Sequence, residues 1–137
     1  MFEATARLRI RDGELEGFKQ QAAEILRLTK EKVDKPLRYD WLLSEDGTEC
    51  EVREAYADPD ALLEHQHYIA DAKMKLFRDS VDSHSMTFYG EPSPALAAAM
   101  KAMAVKVRRL SLFQGLESDI ETPVEVTASP VAPSRQG

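Results

Sequence analysis

Apolar and polar residues alternate over the first eleven positions of the chain. Every second position from residue 2 carries an apolar side chain: Phe2, Ala4, Ala6, Leu8 and Ile10. Since successive side chains of a strand point to opposite faces, this period of two predicts a first strand with one buried and one exposed face.

The period changes after Asp12 and Gly13. Apolar or small residues then recur at steps of three and four: Leu15, Phe18, Ala22, Ile25, Thr29 and Val33. This spacing puts them on one side of an amphipathic helix, and a proline disfavours helical geometry in the residue before it. We therefore predict a helix that ends before Pro36.

Two stretches rich in aromatic and aliphatic residues follow, at 37–43 and 49–56. Between them, Asp46 and Gly47 form a pair that readily adopts the positive φ angles of a tight hairpin turn. The pattern predicts two antiparallel strands joined by this turn.

A second helix is predicted to begin at Asp58 and Pro59. The carboxylate accepts hydrogen bonds from free backbone N–H groups, and the proline is preset for the first helical turn. The helical period continues to about Arg78, with a break near Ala70, and residues 81–89 then predict a fourth strand.

Two short elements and a tail complete the chain. Ser93 and Pro94 open a helix rich in alanine and methionine that runs to about Ala104, and residues 105–113 predict a fifth strand. Residues 117–137 contain three prolines, no aromatic residue, and four acidic residues against one basic residue. We predict a domain of residues 1–116 followed by a flexible acidic tail of residues 117–137.

The first six predicted elements have the order β-α-β-β-α-β. This is the order of the ferredoxin-like fold, an α+β architecture in which two helices cover one face of a four-stranded antiparallel sheet. Because the other sheet face is left uncovered, we expect two subunits to pack these open faces together as a homodimer.

Composition narrows the possible partners and the compartment. A chain of 137 residues fits one domain, and its formal charge of -6 argues against nucleic acid or an anionic membrane as a partner. With Cys50 as the single cysteine, the chain can form neither an internal disulfide nor a CxxC site. The sequence shows no membrane span and no signal peptide pattern, so we expect a cytoplasmic protein.

The third strand carries polar side chains on its apolar face. Alternation puts Glu54 and Tyr56 on the same side as Cys50 and Val52, beneath the helices. Other polar or aromatic side chains are expected to share that space: Tyr39 and Trp41 from the second strand, His65 from the second helix, and His84 and Met86 from the fourth strand. Together they predict a pocket inside each subunit for a small aromatic molecule.

Three segments carry a family resemblance: YDWLLSEDGT at 39–48, EAYAD at 54–58 and ALLEH at 61–65. They resemble the antibiotic biosynthesis monooxygenase family of dimeric α/β barrels, and the likeness covers residues 1 to about 113. In that family a hairpin leads into a Glu-x-Trp/Tyr-x-Asp stretch, followed about seven residues later by a His. Glu54, Tyr56, Asp58 and His65 match these positions.

The resemblance implies a homodimer with a pocket between sheet and helices. For the enzymatic members it implies oxidation of quinols, anthrones or similar phenols by dioxygen without metal or flavin, and some relatives instead degrade haem. Members of both kinds rely on an asparagine in the pocket, whereas this chain has none, and Tyr56 stands where Trp is common. Haem degradation is therefore disfavoured, and the anthrone-oxidising mechanism does not transfer residue by residue.

Two residues are candidates for catalysis. His65 is either a general base that deprotonates a phenolic hydroxyl or a helix residue held to the strand by Glu54 or Tyr56. Glu54 either orients His65 or is a buried carboxylate paired with another donor. The candidates for substrate binding are Tyr39, Trp41, Tyr56, His84 and Met86, and the aromatic ones also fit a plain core role.

No metal site is expected, because His65 and His67 are two residues apart and point to different sides of a helix. The favoured function is a cofactor-independent monooxygenase. Its alternative is a non-catalytic small-ligand-binding or stress-associated homodimer on the same fold. An RNA-binding role is disfavoured because the exposed faces of the first and third strands carry no aromatic residue.

Overall fold

Nine elements follow one another along residues 1–117, the part of the chain that the computed structural model describes. In chain order they are β1 (Phe2–Ile10), α1 (Leu15–Glu31), β2 (Arg38–Leu43), β3 (Glu49–Tyr56), α2 (Pro59–Tyr68), α3 (Ala70–Ser80), β4 (Val81–Tyr89), α4 (Pro94–Ala102) and β5 (Lys106–Leu110). Apart from its first residue, the predicted tail at 117–137 lies outside the described residues. The division between domain and tail therefore stays a prediction.

The strands form one open sheet in the order β2-β3-β1-β4-β5. β1 lies between β3 and β4 and pairs with both in antiparallel orientation, and β2 pairs with β3 in the same way. The predicted ferredoxin-like α+β fold is therefore confirmed. β5 adds a fifth strand that runs parallel to β4 and makes the sheet mixed.

The fifth strand is shorter than the predicted range of 105–113. Its last residue, Leu110, pairs with Tyr89, which is also the last residue of β4. Gly90 follows with a φ of 131°, a backbone conformation that favours glycine, and turns the chain away. Residues after Leu110 thus have no neighbouring strand to pair with.

The first helix also ends earlier than its periodicity suggests. It buries Phe18, Ala22, Ile25 and Thr29 as predicted, but its last residue is Glu31 and Val33 is 93% exposed. Extended backbone at Lys32 ends the helix, and the Lys32 Nζ donates to Glu64 Oε1 of α2 at 2.8 Å and to the Asp34 carbonyl at 3.0 Å.

The second helical segment is broken at Ile69, one residue from the predicted break. The backbone there has φ -100° and ψ 12°, outside helical values, and the Ile69 N–H is shared between the carbonyls of His65 and His67. The Ile69 side chain is 1% exposed. The break divides α2 from α3 and packs the residue between them against the sheet.

The helices cover one sheet face, and the core between the layers has two parts. One part lies beneath α1 and α3 and includes Leu8, Ile25 and Val52, among others. The other lies beneath α2 and α4 and includes Met86 and Met100. No helix within residues 1–117 is long and apolar enough to cross a membrane.

Candidate functional site

A cavity of about 40 Å³ lies where the two parts of the core meet. Its wall is mostly aliphatic and aromatic. The polar or charged lining side chains, with Trp41, come from five elements: Tyr39 and Trp41 of β2, Glu54 of β3, Gln66 of α2, Lys73 of α3, and His84 of β4. The remaining lining side chains are Ala6, Leu8, Ile25, Val52, Ile69, Leu76, Phe77, Met86, Met100 and Val105.

A continuous line of hydrogen bonds runs away from the cavity behind Glu54. The Tyr56 hydroxyl lies 2.8 Å from Glu54 Oε1 and 2.9 Å from His65 Nδ1. The other ring nitrogen of His65, Nε2, lies 2.8 Å from the Thr29 hydroxyl. Glu54, Tyr56, His65 and Thr29 are all buried. The line thus connects the sheet, through α2, to α1.

The local sequence explains why these groups meet. Residues 54 and 56 share a strand face, so both side chains point beneath the helices. The α2 helix begins at Pro59, where the Asp58 carboxylate accepts the Ala61 N–H at 2.8 Å. Seven residues after this cap, His65 lies on the buried side of the helix, above Tyr56.

Burial shifts the pKa values of Glu54 and His65 in opposite directions. The pKa of Glu54 rises from 4.5 to about 7, because burial disfavours the carboxylate more than the Tyr56 hydrogen bond and the Lys73 charge stabilise it. The pKa of His65 falls from 6.5 to about 4, because of burial and the positive charges of Lys32 and Lys73. At neutral pH the imidazole is therefore uncharged, and Glu54 is close to half ionised.

Lys73 brings a positive charge to the cavity wall. Its Nζ donates to Gln66 Oε1 and lies 5.8 Å from the centre of the Phe77 ring. Burial lowers the pKa of Lys73, although the Glu54 charge opposes this effect. A carboxyl group and an amine, each with its charged form disfavoured by burial, thus line one small apolar space.

Aromatic rings form the β2 side of the cavity. The Tyr39 ring meets the His65 ring edge-on with centroids 4.6 Å apart, and it meets Trp41 edge-on at 5.9 Å. Burial and the nearby Glu54 charge raise the pKa of Tyr39. The buried Trp41 Nε1 has no hydrogen-bond partner among the described residues.

The β4 side of the cavity is formed by the other two predicted residues, His84 and Met86. The His84 ring lies 4.6 Å from the Phe77 ring, centre to centre. Burial and the Lys73 charge lower the pKa of His84. Among residues 1–117, no group of three or more His, Cys, Asp or Glu side chains is arranged to hold a metal ion.

The structure therefore brings five of the seven predicted site residues to the cavity wall: Tyr39, Trp41, Glu54, His84 and Met86. Tyr56 and His65 do not line it, because they lie behind Glu54. The sequence did not predict Gln66, Lys73, Phe77 and Met100 as part of this wall. Gln66 directly follows His65 in α2, whereas the break at Ile69 separates it from Lys73 in α3, so the helical period did not predict Lys73.

No family model matches the chain, and no curated protein matches it. Several solved structures match its fold. MupZ from Pseudomonas fluorescens is 22% identical, with a TM-score of 0.68 over 89% of this chain and 98% of MupZ. An antibiotic biosynthesis monooxygenase is 14% identical, with a TM-score of 0.59 over 66% of this chain and 98% of its own. Rv0793 from Mycobacterium tuberculosis is 19% identical, with a TM-score of 0.57 over 69% of this chain and 97% of Rv0793.

These matches confirm, at the level of the fold, the resemblance drawn from residues 39–65. The MupZ match covers more of this chain than the other two, whose coverage is close to two thirds. The chain has the fold of antibiotic biosynthesis monooxygenase structures.

Proposed function

We propose that this protein is a cofactor-independent monooxygenase that oxidises a small quinol, anthrone or other phenolic compound with dioxygen. The observation that carries the proposal is Glu54, a carboxyl group with a pKa of about 7 on the wall of a largely apolar cavity. A general base is most effective when its pKa lies near the working pH. The fold shared with an antibiotic biosynthesis monooxygenase supports the same reaction class.

In the proposed reaction, the Glu54 carboxylate takes the proton of a phenolic hydroxyl. The resulting phenolate gives an electron to dioxygen far more readily than the phenol does, and the Lys73 ammonium stabilises its negative charge. When a CH₂ carbon of an anthrone becomes a carbonyl, one oxygen atom of dioxygen enters the product and the other leaves as water. The substrate therefore supplies all the electrons.

The two catalytic candidates have different places in this proposal. Glu54 lines the cavity and acts as the base. His65, with its low pKa and its position behind Tyr56, acts on Glu54 through the Tyr56 hydroxyl. Its role as the base itself stays an untested prediction.

The remaining candidates, apart from Tyr56, would hold the substrate. Tyr39 and Trp41 offer aromatic surfaces on the β2 side, and Tyr56 supports Glu54 from behind. His84 and Met86 close the β4 side. Such a wall fits a flat aromatic ring better than a sugar or a peptide.

Substrate entry requires movement of the wall, because ligand pockets usually measure about 300 Å³ or more and this cavity measures about 40 Å³. We expect the movement at the connection between α4 and β5. Met100 and Val105 line the cavity there, and between them Ala104 has a φ of 56°, a left-handed conformation that is strained for alanine.

We also propose that two copies pair through their open sheet faces. Large apolar side chains remain exposed on that face, with Leu42 48%, Tyr89 46% and Leu110 40% exposed. The face also carries both charges, including Arg7 and Glu51, whose side chains lie 3.8 Å apart. This mixture suits a self-complementary interface. We expect the dimer to be cytoplasmic.

The alternative is a homodimer that binds a small ligand, or serves in a stress response, without catalysis. The cavity volume of about 40 Å³ does not distinguish the two functions, since a bound ligand would require the wall to move as a substrate would. Oxygen consumption distinguishes the two functions.

The test measures oxygen uptake by metal-free protein with a panel of quinols and anthrones. We expect turnover by the wild type, a loss of about 100-fold or more in Glu54→Gln, and a smaller loss in His65→Ala. Two controls should keep wild-type rates: Glu45→Gln in the exposed β2–β3 turn, and His67→Ala on the exposed side of α2. Uptake by none of the proteins with any substrate would favour the binding function.

A further inference from the structure

The Thr29 hydroxyl lies between a backbone carbonyl and a ring nitrogen of His65. Its Oγ1 is 2.9 Å from the Ile25 carbonyl, one helical turn earlier in α1, and 2.8 Å from His65 Nε2. A hydroxyl has one proton to donate, so it serves only one of the two at a time, although its oxygen accepts a hydrogen bond as well. The group to which the Thr29 hydroxyl donates depends on which ring nitrogen of His65 carries the proton.

When Glu54 is protonated, every hydrogen bond in the line is donated in the direction from Glu54 towards the Ile25 carbonyl. The carboxylic O–H donates to the Tyr56 oxygen, and the Tyr56 O–H donates to His65 Nδ1. The proton of the neutral imidazole is then on Nε2, which donates to Thr29, and Thr29 donates to the Ile25 carbonyl. No buried donor or acceptor in the line is left unpaired.

When Glu54 is ionised, the line reverses. The Tyr56 O–H now donates to the carboxylate, so its oxygen needs a donor from His65. The imidazole supplies one by carrying its proton on Nδ1, and the bare Nε2 accepts the Thr29 hydroxyl. The Ile25 carbonyl still accepts the helical N–H of residue 29. Again every group is paired.

We propose that Thr29 is a positioning residue for Glu54: its hydroxyl switches between the Ile25 carbonyl and His65 Nε2, and so lets Glu54 gain and lose its proton while Tyr56 and His65 stay hydrogen-bonded. The inference rests on the proposed function only in assigning Glu54 as the base. Tyr56 and His65 lie between Thr29 and Glu54, so Thr29 itself touches no substrate.

Other titratable groups lie on the elements packed against the line, and two of them, Lys32 and Lys73, act on it by charge. The groups are Lys32 after α1, Tyr39 on β2, Lys73 on α3 and His84 on β4. Lys73 is the one that acts on both Glu54 and His65. None of the four forms a hydrogen bond with Thr29, Tyr56 or His65 in the described structure, so none replaces the Thr29 switch.

The test follows the ring nitrogens of His65 by ¹⁵N NMR between pH 5 and 9 in the resting protein, with the Glu54 carboxyl followed by ¹³C NMR in the same samples. We expect His65 to remain neutral while its proton moves from Nε2 at low pH to Nδ1 at high pH. The midpoint of this exchange should coincide with the titration of Glu54, near pH 7. A single tautomer throughout the titration overturns the proposal.

Two variants of Thr29 separate the effect of its hydroxyl from the effect of its side-chain packing. Thr29→Val keeps the shape and removes the hydroxyl, so we expect His65 to keep one tautomer at every pH. Thr29→Ser keeps the hydroxyl and should behave as the wild type. A valine variant that still exchanges tautomers with Glu54 would contradict the proposal.

Tyr56→Phe tests whether the Tyr56 hydroxyl connects Glu54 to His65. Without the phenol, the Glu54 carboxylate loses a hydrogen-bond donor, so its pKa should rise by about one pH unit. The tautomer of His65 should no longer follow Glu54. These readouts need no substrate: the switch can be present in a protein that consumes no oxygen, in which case the proposed function fails and this inference stands.

Discussion

The Tyr56 hydroxyl lies 2.8 Å from Glu54 Oε1, although the two residues are only two positions apart on β3. The same hydroxyl lies 2.9 Å from His65 Nδ1 and so separates the carboxyl group from the imidazole. Glu54 and His65 are both buried, and burial disfavours the charged form of each. Their effects on stability therefore depend on pH in opposite ways.

The first prediction concerns the stability of Glu54→Gln relative to the wild type. The pKa of Glu54 is raised from 4.5 to about 7, so the folded protein holds a proton that the unfolded chain has lost in this range. The stabilising contribution of the Glu54 carboxyl is fully present below pH 4.5 and is lost as the pH rises through 7. Across this window we expect the free energy of unfolding of the wild type to fall by about 3 kcal/mol relative to that of the variant.

Urea denaturation at several pH values measures this difference, and subtracting the variant removes the contributions of His65 and other groups common to both proteins. The exposed Glu45→Gln serves as the control and should give a difference that does not change with pH. A constant difference for Glu54→Gln as well would mean that the carboxyl group is not raised in pKa by burial.

The sequence predicted the strand side of the site better than the helix side. Alternation along β3 placed Glu54 and Tyr56 beneath the helices because a strand has only two faces. The Asp46–Gly47 turn, in which Asp46 Oδ1 accepts the Thr48 N–H at 3.1 Å, then fixes the register of β2 and brings Tyr39 opposite Glu54.

The helix side of the site was harder to predict because the break at Ile69 changes the direction in which the following residues point. From the sequence, a lysine in a charged helix is expected to be exposed, yet Lys73 is on the cavity wall. Similarly, pairing of His65 with Glu54 or Tyr56 was foreseen, whereas the order of the three was not. That order depends on the distance between α2 and β3, which no single-sequence pattern contains.

The second prediction is that Lys73→Met raises the pKa of Glu54 above about 7, because the Lys73 charge now stabilises the carboxylate. The pKa values of His65 and His84 should also rise, since the same charge lowers both. We expect changes of about half to one pH unit.

An NMR titration of the three side chains tests this prediction. Lys75→Met, two residues later on the exposed side of α3, is the matched control and should leave all three pKa values unchanged. If Lys73→Met also leaves Glu54 unchanged, the ammonium group does not act on the carboxyl, and its role in stabilising a phenolate loses its support.

The third prediction concerns the open sheet face. We expect sedimentation of the wild type to give twice the chain mass of 15.4 kDa. Tyr89→Asp places a charge on this face and should weaken the dimer about ten-fold or more. Met74→Asp, on the exposed surface of α3, should not weaken it. A wild-type protein that sediments only as a 15.4 kDa species would exclude pairing through the sheet.

The fourth prediction is that Met100 limits the size of the ligand. Its side chain is 3% exposed and lines the cavity from α4, so Met100→Ala should enlarge the cavity and cost about 2 to 4 kcal/mol of stability. Because the present volume of about 40 Å³ requires the wall to move, a wider cavity should bind larger rings with less movement. We therefore expect kcat/KM to shift towards two- and three-ring substrates.

Relative kcat/KM values for one-ring and three-ring quinols measure the shift, and calorimetric binding of the same compounds gives a readout that does not depend on turnover. Met103→Ala is the matched control, because Met103 is 50% exposed and does not line the cavity. It should change neither stability nor preference. If Met100→Ala folds and keeps the wild-type preference in both measurements, ligands do not enter past α4, and the opening must be sought on the side of Lys73 and Phe77, where the wall is also partly exposed.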